Sequence, residues 1–374
     1  MRIAIDLRSL IEPLPSGVTE YTRQIVGHCS RITTDDHFVL FANAYRGLTS
    51  TVRSVWESGA AEWKVSRQPN KIFNTRLLLS GRPQLDRYVG GADVFFMPNL
   101  NFASFSNDCK LVVTVHDLSF MNREFTGGKS TVWHALIRPK KLLRRAEAII
   151  AVSRSTAIDL ADRFPDIKRN ITVIPSGVDE KYFQLPFEHS RASIIKKYRL
   201  PDKCILFLAT VENRKNVSGL LQAWEILQSR FHTPYTLVVA GRIVHPLSER
   251  QDVRVLGYVS ENDKPSLYRH AAVFCYPSFF EGFGLPVLEA MASGTPTLAS
   301  YSTSLPEITE LSSVLINPYN AEEMAYALHE LLLNETLRKR LSQAGIQQAR
   351  KFNWRRSAQH TLDLFHSLKT KKNL

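Results

Sequence analysis

Residues 277–294 read Pro277-Ser278-Phe279-Phe280-Glu281-Gly282-Phe283-Gly284-Leu285-Pro286-Val287-Leu288-Glu289-Ala290-Met291-Ala292-Ser293-Gly294. An apolar run, Ala272–Pro277, leads into them and reads as a strand. A loop with two glycines follows. A helix then begins near Pro286, a residue suited to the first helical position, and stops by Gly294. Gly282 and Gly284 let backbone N–H groups come close to a ligand, and the N-terminus of the helix that follows favours an anion such as a phosphate. Glu289 is expected in the first turn of that helix, where its carboxylate can accept hydrogen bonds from hydroxyl groups.

This strand–loop–helix unit recurs in both directions along the chain. Upstream, strand-like runs are Arg2–Leu7, His37–Ala42, Asp93–Pro98, Lys110–His116, Ala148–Ser153 and Asn170–Pro175, then Cys204–Thr210, Thr236–Gly241 and Val253–Val259. Downstream come Thr295–Ser300 and Ser313–Pro318. Several are continuously apolar, as in Ile205-Leu206-Phe207-Leu208, the pattern of strands covered on both faces in parallel sheets. Helical periodicity fills the gaps: Val217, Leu220, Leu221, Trp224 and Leu227 share one face, with Asn216 as N-cap. The alternation predicts an α/β protein with two doubly wound sheets, six strands on each side of residue 190. A chain of 374 residues also suits two domains. Gln184–Lys203, with Pro186, Pro201 and several charges, reads as the connection. Ligands of such sheets bind beyond the carboxyl ends of the strands, so the expected site is a cleft between two facing sheets.

Three further segments stand at such strand ends. Ala209-Thr210-Val211-Glu212-Asn213-Arg214-Lys215-Asn216 follows a strand and opens a helix, and the Arg fork with the Lys point charge can neutralise a diphosphate. Val113-Thr114-Val115-His116-Asp117 delivers His116 at a strand end, with Asp117 either orienting it or pinning the loop. Pro15-Ser16-Gly17-Val18-Thr19 places Gly17 in the turn after the first strand.

Taken together, these segments resemble the retaining glycosyltransferases of family 4. The likeness rests on Glu281-x7-Glu289 within Glu-Gly-Phe-Gly-Leu-Pro, on Leu256-Gly257-Tyr258-Val259, Leu267-Tyr268 and Ala271 before it, and on Gly294-Thr295-Pro296 and Leu305-Pro306-Glu307 after it. Ala151-Val152-Ser153, Val173–Asp179 and the segment from Trp354 extend it over nearly the whole chain. The resemblance implies the GT-B architecture: an acceptor-binding Rossmann-like domain (1–185), a donor-binding one (186–353) and a last helix (354–374) returning to the first. It implies that Arg214 and Lys215 hold the donor diphosphate, that Glu289 binds the ribose, and that Glu281 with backbone groups of Phe283, Gly284 and Leu285 binds the sugar. His116 then contacts the donor sugar, and Gly17 lies near the diphosphate and the acceptor. The family usually has Gly where Ala209 stands. No metal is implied, and no Asp-x-Asp occurs.

The expected reaction is transfer of a hexose, mannose or rhamnose favoured, from a GDP-, UDP- or dTDP-linked donor to a glycan or lipid-linked glycan during surface polysaccharide assembly. A nucleotide-sugar epimerase or hydrolase on the same scaffold is the alternative. Charge supplies a rival of another class. The net charge is +13, which suits an anionic partner such as nucleic acid. The excess is spread, +7 over residues 1–185 and +6 over 186–374, rather than concentrated on one element as a nucleic-acid module requires. The segment Thr131–Arg145 sets Arg138, Lys140, Lys141, Arg144 and Arg145 among Trp133, Leu136, Ile137, Leu142 and Leu143. It reads either as an amphipathic helix on an anionic membrane or as a solvated face over a buried one. No run reaches the ~18 apolar residues of a spanning helix. The charged start lacks a signal peptide's apolar core, and four scattered cysteines offer neither a disulfide framework nor a Cys-x-x-Cys site. A cytoplasmic protein, in peripheral contact with the plasma membrane at most, is the expectation.

Overall fold

The computed structural model describes residues 1–11, 16–32, 35–56, 61–122, 124–125, 135–184, 188–244 and 250–370. They form two compact units. The first runs from Met1 to Gly177 and resumes at Trp354; the second is Val178–Asn353.

The first unit holds a seven-stranded sheet of β1 (Arg2–Asp6), β2 (His37–Asn43), β3 (Glu62–Ser66), β4 (Val94–Met97), β5 (Lys110–Val115), β6 (Ala148–Ala151) and β7 (Ile171–Val173). The order is β3-β2-β1-β4-β5-β6-β7, every pair parallel. Strand β3 escapes the sequence reading. It is an edge strand carrying Glu62 and Lys64 on a half-exposed ribbon, so it lacks the apolar run of its neighbours. Glu62 there accepts a hydrogen bond from Arg2 Nη2 on β1 at 2.7 Å.

The second unit holds six parallel strands: β8 (Cys204–Leu208), β9 (Thr236–Ala240), β10 (Val253–Gly257), β11 (Val273–Tyr276), β12 (Thr297–Ser300) and β13 (Ser313–Ile316). Their order is β10-β9-β8-β11-β12-β13. In each sheet the direction of winding reverses beside the first strand, between β1 and β4 and between β8 and β11. Those reversals open the crevice in which doubly wound sheets bind ligands. The strands flanking the reversal are dry, with every residue of β8 and β11 buried.

The units part after Gly177, eight residues ahead of the expected 185/186 boundary. Local bonding explains the shift. Val178 N–H donates to Phe352 O at 3.2 Å, and Arg269 Nη2 donates to the carbonyls of Tyr182 and Gln184, each at 2.8 Å. Tyr182 itself is buried. The stretch read as a connection contains a helix, Glu188–Tyr198, whose Tyr198 hydroxyl donates to Asp263 at 2.7 Å; Pro186 lies outside the described residues.

The last helix, Trp354–Thr370, packs along the first, Gly17–Ile32. Trp354 meets Tyr21 edge-on at 5.8 Å and Phe365 meets Phe96 of β4 at 5.2 Å. Ser357 Oγ donates to Pro175 O, and His366 bonds Asp36 at 2.8 Å. Among the described residues no helix is long and apolar enough to cross a membrane.

Candidate active site

Two strand-to-helix loops meet at the winding reversal of the second sheet. After β8 the chain makes a short 3-10 turn, Asn213–Lys215, and enters the helix Val217–Phe231. Asn216 takes the left-handed conformation at φ 56°, accepts from Gly219 N–H at 3.1 Å and donates to Pro318 O at 2.6 Å. The N-cap read from sequence is therefore also a tie to the loop after β13. At Ala209, where the family usually has Gly, the backbone is met closely by the end of the neighbouring strand. Gly241 sits at φ 120°, and a Cβ there would lie 1.9 Å from Ala209 O.

The loop after β11 brings Glu281 onto both cations. Lys215 Nζ donates to Glu281 Oε1 at 2.6 Å and to the Tyr276 hydroxyl at 2.8 Å. Arg214 Nη1 donates to Phe280 O at 2.7 Å and reaches Glu281 Oε2 at 3.4 Å, while its Nη2 donates to Glu212 Oε1 at 2.9 Å. Lys215 and Glu281 are 8% and 6% exposed. Burial pushes the Glu281 carboxyl up, but the Lys215 ammonium and Arg214 guanidinium outweigh it and hold the group below its ordinary range. Lys215 is lowered, first by burial and then by the Arg214 charge, with Glu281 opposing both. The cluster is thus a carboxylate seated on two cations whose charges repel.

The surrounding loop is stitched to its neighbours. Phe279 N–H donates to Arg214 O at 2.9 Å, and Ser278 Oγ reaches the same carbonyl at 3.0 Å. Glu281 N–H donates to Thr303 Oγ1 at 2.9 Å, and Ser304 Oγ serves the carbonyls of Glu281 at 3.1 Å and Phe283 at 3.0 Å. Such ties pre-set the geometry before any ligand arrives.

Gly284 caps the following helix, Leu285–Ala292, at φ 100°; a Cβ there would fall 2.5 Å from Leu305 Cδ2. The helix starts one residue before Pro286. Glu289, expected in the first turn, is the fifth helical residue and lies in the second turn, 7% exposed. Its Oε2 accepts a hydrogen bond from the Tyr268 hydroxyl at 2.9 Å. Phe283 turns its ring onto Phe352 at 5.7 Å. The second unit therefore carries Arg214, Lys215, Glu281, Phe283, Gly284, Leu285 and Glu289 on the segments that follow its two central strands, β8 and β11. Sequence reasoning missed Glu212, Tyr276, Thr303 and Ser304, which hold them. Glu212 stood two residues from Arg214 within a quoted segment; the others carry no local signal.

In the first unit His116 follows β5. Its Nε2 is 2.9 Å from Pro98 O, so the ring donates there and its other nitrogen carries the acceptor role when neutral. Burial lowers its pKa, with the Pro98 bond and the Asp117 charge pulling the other way. Asp117 pins the loop rather than the ring: its Oδ1 accepts from Ser119 N–H at 2.9 Å and Ser119 Oγ at 2.6 Å. Gly17 is the first residue of the helix Gly17–Ile32, and Tyr21 on that helix meets the His116 ring edge-on at 4.8 Å. Pro15 lies outside the described residues.

The basic segment is not one helix over Thr131–Arg145. Arg138 takes the left-handed conformation at φ 55°, which interrupts any helix running through it, and the helix is Pro139–Arg145. Leu142 and Leu143 enter the core. Arg144 pairs with Asp166 at 2.6 Å, and Arg145 Nη2 donates to the carbonyls of Ser106 and Cys109, each at 2.7 Å. Arg138, Lys140 and Lys141 are exposed. Residues 131–134, with Trp133, lie outside the described residues.

Two Rossmann-type units, with a cation–carboxylate cluster at the winding reversal of the second, place the chain in the doubly wound α/β class. Comparison narrows the class. The family model for glycosyl transferases group 1 matches residues 190–348, and that for glycosyltransferase family 4 matches residues 15–182. The O-antigen chain mannosyltransferase B of Escherichia coli is 30% identical over 271 residues, which cover 69% of this chain and 71% of that protein. The serotype-specific mannosyltransferase WbdA of Escherichia coli is 32% identical over 275 residues, again 69% of this chain; they are 34% of WbdA, so the chain spans about a third of that relative's length. The solved structure of WaaG, a glycosyltransferase involved in lipopolysaccharide biosynthesis, superposes with a TM-score of 0.74 at 15% identity over 97% of this chain and 99% of that one, which shows a shared GT-B fold. The chain belongs to the group 1, family 4 glycosyltransferases.

Proposed function

We propose that this chain is a retaining hexosyltransferase that takes mannose, or the related rhamnose, from a nucleotide-diphosphate donor and passes it to a glycan or lipid-linked glycan acceptor in surface polysaccharide synthesis. The observation that carries the reading is the pairing of Arg214 and Lys215 with Glu281 where β8 and β11 part. That the similar proteins are mannosyltransferases favours mannose.

In this reading Arg214 and Lys215 exchange part of their carboxylate pairing for the donor diphosphate and stabilise the charge that builds on the leaving group. Glu289 accepts hydrogen bonds from the nucleotide's ribose hydroxyls. Glu281 and backbone groups of Phe283, Gly284 and Leu285 take hydroxyls of the sugar. The first unit supplies His116, as a neutral ring, to the sugar, and the turn at Gly17 to the phosphates and acceptor. Transfer breaks the bond between C1 of the sugar and the phosphate oxygen and forms one from C1 to the acceptor oxygen on the same face. The acceptor's proton passes to the departing phosphate, so no protein nucleophile and no metal are required.

The exposed side chains of Arg138, Lys140 and Lys141, beside Leu136 at 41% exposure, suit peripheral contact with an anionic inner-membrane face, where a lipid-linked acceptor would be met. A thermal-shift screen against GDP, UDP, dTDP and their sugars tests the reading, because a ligand that binds the native state raises its melting temperature. One nucleotide should stabilise the chain, and Arg214→Ala should abolish both that shift and glycosyl transfer. Stabilisation by none of them, or full transfer by Arg214→Ala, would refute it.

A further inference from the structure

The buried hydroxyl of Tyr268 stands outside the roles assigned above. Tyr268 lies on the helix Lys264–His270, between β10 and β11, and is fully buried. Its ring is held edge-on against Phe274 of β11 at 5.2 Å and Tyr182 at 6.1 Å. Its carbonyl accepts from Thr295 Oγ1 at 2.8 Å and Ala271 N–H at 3.1 Å. Ring and backbone are therefore both fixed, and the hydroxyl is delivered to Glu289 Oε2 at 2.9 Å.

That contact constrains a torsion the helix alone leaves loose. The terminal torsion of a glutamate is broad and roughly two-fold, so the backbone at residue 289 does not choose the plane of the carboxylate. A hydrogen bond to one oxygen chooses it. We propose that Tyr268 is a positioning residue that orients the Glu289 carboxylate for the two vicinal hydroxyls of the donor nucleotide's ribose. The inference rests on the reading that Glu289 takes those hydroxyls. Burial, followed by the Glu289 charge, pushes the phenol well above its ordinary range, so it remains a donor throughout the pH range of an enzyme assay.

The test compares GDP with 2′,3′-dideoxy-GDP, or UDP with its dideoxy analogue, using whichever pair the parent chain binds more tightly. Dissociation constants are measured for the parent, Tyr268→Phe and Glu289→Gln. Hydrogen bonds to a carboxylate predict that the parent prefers the ribose form by about 10- to 100-fold. Tyr268→Phe keeps the ring contacts, and inorganic diphosphate binding serves as the control for an intact fold. The expected result is that Tyr268→Phe reduces the preference about 10-fold, leaves inorganic diphosphate affinity unchanged, and approaches Glu289→Gln. If Glu289→Gln erases the preference while Tyr268→Phe weakens both nucleotides by one common factor, Tyr268 is only a packing residue and the inference is overturned. If Glu289→Gln keeps the parent's preference, the ribose assignment fails first and takes the inference with it.

Discussion

Replacing Glu281 by Gln tests whether the carboxylate is the resident counter-ion of the diphosphate site. Gln keeps the side chain's shape and removes its charge. Lys215 loses its 2.6 Å partner and Arg214 its contact at 3.4 Å. Breaking a buried pair from one side costs about 3–5 kcal/mol when the stranded charge has no escape. Here there is some relief. Arg214 keeps Glu212 and the Phe280 carbonyl, and Lys215 keeps the Tyr276 hydroxyl. A loss of about 2 kcal/mol is the better figure, and at about 2–4 °C per kcal/mol for a unit of this size the melting temperature should fall roughly 4–8 °C. The pH course carries a sign. Because the folded-state pKa of Glu281 lies below its ordinary 4.5, the contribution is whole above about pH 4.5 and is lost as the pH falls through the depressed value. The gap between parent and variant should therefore be flat from pH 8 to 5 and close only in acid. Inorganic diphosphate, followed by calorimetry, should bind the variant several-fold more tightly, since nothing now competes for the cations, while glycosyl transfer falls. A variant that melts with the parent and binds diphosphate no better would refute the reasoning.

Two other substitutions probe the same architecture. Gly241→Ala places a Cβ 1.9 Å from the Ala209 carbonyl at a φ of 120°, so it should cost at least about 2 kcal/mol by thermal melt and displace the strand end that launches Arg214. His116 has its folded-state pKa below the ordinary 6.5, so it should lower stability progressively as the pH drops beneath 6.5, and His116→Asn should remove that slope; an NMR titration placing the ring above 6.5 would contradict the assignment.

The βα framework was legible because parallel strands covered on both faces are written as uninterrupted apolar runs. Ile205–Leu208 and Val273–Tyr276 could be read by eye, and their order followed from the alternation with helices. Strand β3 could not, since an edge is written in the mixed charge of Glu62 and Lys64. The Asn216 cap was readable because its mechanism is local. The depth of Glu289 depended on where the helix begins, just after Gly284, whose lack of a Cβ is needed against Leu305, twenty-one residues away. The pairing of Lys215 with Glu281 spans sixty-six positions. A bond between residues so far apart in sequence leaves no local mark on either segment. The early start of the second unit was hidden for the same reason: the bonds that tie Val178 and Tyr182 to it come from Phe352 and Arg269.

The path of the chain bears on how the protein is made. The first unit begins at residue 1, yet the helix that covers Tyr21 and Phe96 is not synthesised until Trp354 and beyond. Domains ordinarily fold as they leave the ribosome, N-terminal part first. Here the part that emerges earliest must wait with an uncovered apolar face while all of Val178–Asn353 is translated, and the later unit can finish before it. A chain terminated after residue 353 would carry a complete second unit attached to an incomplete first one, a product suited to chaperone capture. Loss of the final seventeen-residue helix should therefore injure the half of the protein farthest from it in sequence.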